Sequence, residues 1–312
     1  MAEPRQSRSL TASQKGKNLE FFIQLVVAGL VIGSVYAMIA LGFVLIYKSS
    51  AVINFAQGEL LLIGAYICLT MTVDMQIPFL ASFLMTLLFS IAFGFAIERL
   101  FLRPMIGEPI LSVIMLTIGL SAFFRGIVLI FWGADTRTFP EVFSATPVKL
   151  GFLEISEIYV WSLSLSIIFL AVLTLFFKYT NIGIAMRATA DDQTAALSMG
   201  ISVKKVFAMA WAIAAVVAAV GGVLLGNING LNISLTHFGL KVFPVVILGG
   251  LDSVAGAIIG GFIIGLLETL SGGYLDPLIG AGVKEVAPFV ALVIVLIFKP
   301  YGLFGLERIE RI

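Results

Sequence analysis

The stretch VINFAQGELLLIGAY, residues 52 to 66, carries two amides and a carboxylate, Asn54, Gln57 and Glu59, with apolar sequence on both sides. Groups of this kind can do two things inside hydrocarbon. Asn54 can cap the start of a helix, and Glu59 in its first turns then complements the positive end of the helix dipole. Alternatively, a helix that starts at membrane depth lines an aqueous or gated path, where irregular backbone is tolerated and a polar group is by default functional. The two readings are compatible. Asp252, in GGLDSVAGAIIGGFIIG, follows a glycine pair and opens a helix in the same way, so it too is a cap or a path residue. Glu268 falls near the far end of its apolar run and is expected at the interface. Arg125, inside LSAFFRGIVLIF, either snorkels or pairs with a carboxylate such as Glu59.

Other chemistries find little support. His237 is the single histidine, and no second ligand at suitable spacing accompanies it, so no metal site is expected. Cys68 is the single cysteine, placed in an apolar helix, and reads as packing. A Ser–His hydrolase would need a nucleophile motif of the Gly-x-Ser-x-Gly kind, which is missing. No Gly-x-x-x-x-Gly-Lys-Ser/Thr occurs, so no P-loop is expected on this chain and any nucleotide energy comes from another subunit. A net charge of +1 points to no nucleic-acid partner.

The elements that must position these groups are membrane helices. Of 312 residues, 60% are hydrophobic and 12% charged, and the mean hydropathy is +1.11. Soluble domains carry about 25% charged residues. Apolar stretches fall at 19–47, 52–73, 78–97, 109–132, 158–178, 206–226, 241–250, 252–270 and 285–299. Strands of alternating polarity, the mark of a membrane barrel, are absent from the sequence. The fold class expected is all-α: a polytopic inner-membrane helical bundle of about eight or nine spans with interrupted helices. Lysine and arginine in short loops place 98–108, 178–205 and the C-terminal tail in the cytoplasm, and the acidic loop 133–157 outside. Parity requires 241–250 to cross, although it is short. The basic tail, residues 1–18, argues for the inside while the crossing count puts it outside; a re-entrant piece near 42–58 would reconcile them. The polar breaks at Asn54 and Asp252, each four residues before a glycine, suggest an internal repeat with a site between its halves. Glycines four apart, such as Gly29 and Gly33 or Gly261 and Gly265, suit close helix packing.

The loop segment NIGIAMRATADDQTAALSMGISVKK is a good helix former rich in small residues. Arg187, Ala188, Asp191, Asp192, Ala195 and Ala196 fall on it, and Gly200 ends it. The acidic pair is expected near the helix start, where the dipole favours it. Such a helix is either an unpartnered amphipathic segment or a surface that another protein approaches closely.

These segments carry a family resemblance. GLVIGSVYAMIALGFVLIYKSSAVINFAQGELLLIGAYI, GIAMRATADDQTAALSMGI, VVILGGLDSVAGAIIGGFIIG and the terminal KPYGLFG resemble the permeases of bacterial ABC importers for branched-chain amino acids, closest to the shorter, high-affinity leucine/isoleucine/valine type. The likeness runs from about residue 20 to 305. It implies a transmembrane permease domain at 19–305, with a coupling loop at 179–205 and a short cytoplasmic tail at 306–312; residues 1–18 lie outside the likeness and, being polar, read as a disordered tail. It also implies a second permease subunit, expected as a heterodimer partner, two ABC ATPase subunits that bind ATP and magnesium, and a periplasmic amino-acid-binding protein. The ligand stays open, since related systems carry urea or short amides. An ion- or proton-coupled secondary transporter using Glu59, Asp252 and Arg125 is the rival reading, followed by a passive channel.

Overall fold

The computed structural model describes residues 5–140, 148–150 and 153–305. Apart from one small hairpin, its regular structure is helical. Each of the nine apolar stretches forms a helix: α1 (Arg5–Ser50), α2 (Gln57–Val73), α3 (Phe79–Ile97), α4 (Ile110–Trp132), α5 (Glu157–Tyr179), α8 (Val203–Asn229), α9 (Thr236–Gly249), α10 (Val254–Tyr274) and α12 (Val283–Phe298). The others are short: α6 (Asn181–Asp191), α7 (Gln193–Ser198) and α11 (Asp276–Ile279). Strands β1 (Val148–Leu150) and β2 (Leu153–Ile155) pair antiparallel inside the loop after α4, an addition to the all-α expectation.

Among the described residues six helices are long and apolar enough to cross a membrane. The 17 residues of α2 and the 14 of α9 make about 25 and 21 Å of helix, short of a hydrocarbon core of about 30 Å. Each is approached by non-helical or 3₁₀ chain, at 51–56 and 230–235. α1 runs unbroken to Ser50, so no re-entrant piece begins at residue 42. Its helix also reaches back through most of the polar N-terminal segment; the membrane-capable part is Asn18–Ser50. Residues 1–4 and 306–312 lie outside the described residues.

Glycine dictates how the bundle closes. α1 and α10 lie antiparallel in the most extensive helix contact of the molecule. A Cβ on Gly33 would sit 2.9 Å from the Gly261 carbonyl oxygen, and one on Gly261 would sit 2.5 Å from the Ala37 nitrogen. Backbones approach this closely because dispersion and lipid entropy, rather than the hydrophobic effect, drive helix association in lipid. At one end of this pair Phe21 meets Tyr274 edge to face, with ring centroids 5.7 Å apart. At the other end Gln193 Nε2 donates to the Ser49 carbonyl at 3.3 Å, and the C-terminal segment pins α9 through Leu303 N–H to Leu248 O (2.8 Å) and Phe304 N–H to Gly249 O (3.0 Å). The basic segments therefore share one end of the bundle, and the first apolar turns of α1 lie at the opposite end. α8 fills the middle, with almost every residue from Ala214 to Gly226 buried.

Gly261→Ala should lower the stability of the purified chain by about 1–3 kcal/mol through overpacking. Gly119→Ala, in α4 with nothing within 4 Å of the added carbon, should be neutral or raise it by up to about 1 kcal/mol. Thermal unfolding in detergent checks the contrast.

Candidate functional site

The chain leaves α1 through Ala51, a non-glycine residue with φ of 55°. A left-handed alanine costs roughly 1–2 kcal/mol, and it lets residues 52–56 turn back into the bundle. Freed backbone groups there find replacements. The Ala56 N–H donates to Asn54 Oδ1 at 3.0 Å, and the Phe55 N–H donates to Thr117 Oγ1 of α4 at 3.3 Å. Asn54 Nδ2 donates to Gln57 Oε1 (3.0 Å), and Gln57 Nε2 donates to the Ala214 carbonyl of α8 (3.3 Å). Asn54 thus differs from the expected N-cap. It closes an Asx turn ahead of the helix, and the N-cap position is Ala56, with no side-chain bond.

Glu59 sits in the first turn of α2, where the dipole favours it. Arg125 of α4 donates from Nη2 to Glu59 Oε1 at 2.7 Å. The pair suggested by the sequence is therefore formed. It is lopsided: the Glu59 side chain is 2% exposed and that of Arg125 42%. Asn54, Gln57, Glu59 and Arg125 make one polar cluster at the start of α2. On the basic-end side of it, Ala51, Val52, Glu108, Gln193 and Trp211 line a cavity of about 260 Å³.

The second short helix meets the first here. A Cβ on Gly58 would collide with the Thr236 carbonyl, and one on Gly239 with the Gly58 backbone. Asn232 repeats the Asn54 device ahead of α9, its Oδ1 accepting from the Ser234 N–H at 3.0 Å. The helix start that lies against α2 is thus that of α9. Asp252 is not brought to the cluster. It sits at the basic end, lining a cavity of about 240 Å³ with Tyr47, Ile247, Pro300 and Tyr301. Nor does it cap α10: Ser253 does, accepting from the Gly256 N–H at 3.0 Å.

Sequence reasoning missed a second buried cluster. Glu268, expected at the interface, is buried because α10 continues past it to Tyr274. Lys241 of α9 bridges Glu268 Oε1 at 2.6 Å and Glu285 Oε2 at 2.7 Å. Tyr36 of α1 donates to Glu268 Oε2 at 2.6 Å. The side chain of Glu285 is half exposed, whereas those of Lys241 and Glu268 are not. A signal existed: a crossing from 241 is too short unless the helix starts earlier, which carries Lys241 into the membrane.

The loop segment between α5 and α8 is two helices. Asp191 ends α6, against the expected placement near a helix start, and Asp192 begins α7. Asp192 Oδ1 accepts from the Thr194 N–H (2.7 Å) and the Ala195 N–H (3.0 Å). Gly200, at φ of 82°, ends the element as expected. Arg187 donates to the Phe177 and Lys178 carbonyls, satisfying the last turn of α5. Ala196 is buried, Ala188 half-buried and Ala195 exposed, and Met199 is 82% exposed beside exposed Leu197.

A protein family described as the permease component of the branched-chain amino acid transport system matches residues 25–298. The high-affinity branched-chain amino acid transport system permease protein LivH of Salmonella typhimurium is 33% identical, over 94% of this chain and 98% of its own length. BraD of Pseudomonas aeruginosa, a protein of the same description, is 32% identical over 93% and 98%. A probable branched-chain amino acid transport permease protein of Methanocaldococcus jannaschii is 28% identical over 89% and 91%. No solved structure matches.

Lys241→Met should cost about 3–5 kcal/mol, because it strands Glu268 in the bundle. Adding Glu268→Gln should restore more than half of that loss, as read by unfolding in detergent.

Proposed function

The chain belongs to the permease family of branched-chain amino acid transport systems, and from that premise we propose that it forms half of the translocation path of an ATP-driven importer in the inner membrane. A second permease, expected to be a different chain, completes the path. Two ABC ATPases bind ATP and magnesium, and a periplasmic binding protein delivers branched-chain amino acids. The bare α6–α7 element carries this reading. Its outer surface presents Leu197, Met199 and Ile184 to solvent, while its inner side is tied to two membrane helices.

Those ties supply a mechanism. Arg187 locks α6 to the end of α5. Gln193 of α7 holds the Ser49 carbonyl, two residues before the left-handed Ala51 that opens the break. Closure of the ATPases against α7 pushes on the end of α1 and on the irregular segment 51–56. The polar cluster at Asn54, Gln57 and Glu59 then shifts relative to α4 and α8. Because the binding protein selects the solute, the path needs few polar groups and no tight site. Asp252, at the basic end, stands near the exit.

One observation favours a second reading. The buried Lys241–Glu268–Glu285 network is the kind of group through which secondary transporters couple to ions. That reading requires uptake by this chain alone, driven by a proton or sodium gradient.

Leu197→Asp should lower ATP-coupled leucine uptake in proteoliposomes containing the full complex at least tenfold while membrane insertion stays normal. Asp192→Asn, which keeps the cap, should leave uptake near normal, and Asp192→Lys should reduce it. Full coupling in Leu197→Asp removes the docking claim. Replacing the Glu59–Arg125 pair by two leucines should cut uptake at least tenfold; normal uptake would make the pair purely structural.

A further inference from the structure

A cavity of about 580 Å³ opens between α3, α6 and α8 at the basic end of the bundle. Its volume lies within the range of about 300–1,000 Å³ typical of sites that enclose a ligand. Phe95, Ile182, Ala185, Ile201, Val206 and Met209 form apolar walls. Its polar lining is Arg103, Lys205, Asn181 and Ser202, with no carboxylate among the lining residues. Glu98 already engages Arg103 through Nε (3.2 Å) and Nη2 (2.9 Å), leaving its remaining N–H groups available. The exposed Lys205 ammonium brings the balancing charge.

We propose that this cavity holds an anionic phospholipid, with its phosphate against Lys205 and Arg103 and an acyl chain along the apolar walls. A small anion would use the cations and leave the walls wet; an apolar solute would leave Lys205 without a counter-charge. A phospholipid supplies both halves at once. The bilayer is also the adjacent reservoir. The α3 and α5 spans bury only 33% and 22% of their most apolar windows inside the molecule, so they turn mostly outward. Basic pockets between membrane helices at the cytoplasmic side recognise lipid headgroups by this combination. A seated lipid would fill the gap between α3 and α6, beside the small core of Leu45, Phe177, Met186, Val206 and Ala210 that anchors the loop element.

Native mass spectrometry of the full-length chain, titrated in detergent with phosphatidylglycerol or phosphatidylcholine of identical acyl chains, tests this. Phosphatidylglycerol should be retained at least about fivefold better. Lys205→Gln should cut that retention about fivefold, the worth of one cation at an anionic surface. Lys204→Gln, off the cavity, should change it less than twofold. Ala185→Phe, which fills the cavity without altering charge, should reduce phosphatidylglycerol adducts to the phosphatidylcholine level; if it does not fold, Met209→Trp on another wall replaces it. Equal retention of the two lipids would overturn the proposal. So would equal losses from the two lysine variants, which mean surface charge alone, or displacement by millimolar inorganic phosphate, which means a small-anion site.

Discussion

A chain that abandons helical geometry inside an apolar bundle must find new partners for each peptide group it frees, because no bulk water is there to take them. The arrangement around α2 follows from that requirement. Asn54 stands in for the missing helix turn by holding the Ala56 N–H, and its other end fixes Gln57, which reaches across to α8. Thr117 serves the Phe55 N–H from α4. Three helices are therefore held around the break by hydrogen bonds, and the break is ordered rather than loose. Asn232 makes the same turn ahead of α9, at a more exposed position.

Charge follows the breaks. Removing a carboxylate from water costs several kcal/mol, which a single close partner repays only if the remaining lone pairs are served. Glu268 meets that condition with Lys241 on one oxygen and Tyr36 on the other. Glu59 has Arg125 on one oxygen and lies in the first turn of α2, where the helix dipole favours a carboxylate. Lys241 and Tyr36 reach Glu268 from two other helices and Arg125 reaches Glu59 from a third, so each cluster holds helices together as well as neutralising charge. Their outer members, Arg125 and Glu285, remain partly exposed.

Much of this was legible in the sequence, and the gaps have physical causes. The Asn54–Gln57–Glu59 cluster stood out because three polar groups crowd one short stretch of apolar chain, and Arg125 offered one opposite charge at membrane depth. The Lys241–Glu268 pair did not, because each residue taken alone sits near the edge of an apolar run; only the extra turns of α9 and α10, set by packing, carry both inside. Asp252 looked like Asn54 by spacing from the next glycine. The two differ because Ser253, one residue later, is the better placed cap. The loop element divides in two because Asp192 turns its carboxylate back on the Thr194 and Ala195 N–H groups and restarts the chain, a cap that the good helix formers on both sides conceal in the sequence.

The relation between α2 and α9 bears most directly on how such a bundle moves. Their first turns meet at Gly58 and Gly239, where backbone lies on backbone with no side chain between. The α1–α10 seam is built of the same kind of contact, at Gly29, Gly33, Gly261 and Gly265, but there it repeats over several turns, whereas for α2 and α9 it lies at their first turns. The long seam forms a frame, and the pair of half-helices with its hydrogen-bonded breaks is the less restrained element. A push on the Ser49 end of α1 from Gln193 enters at the one place where the frame and the nearer break share a chain.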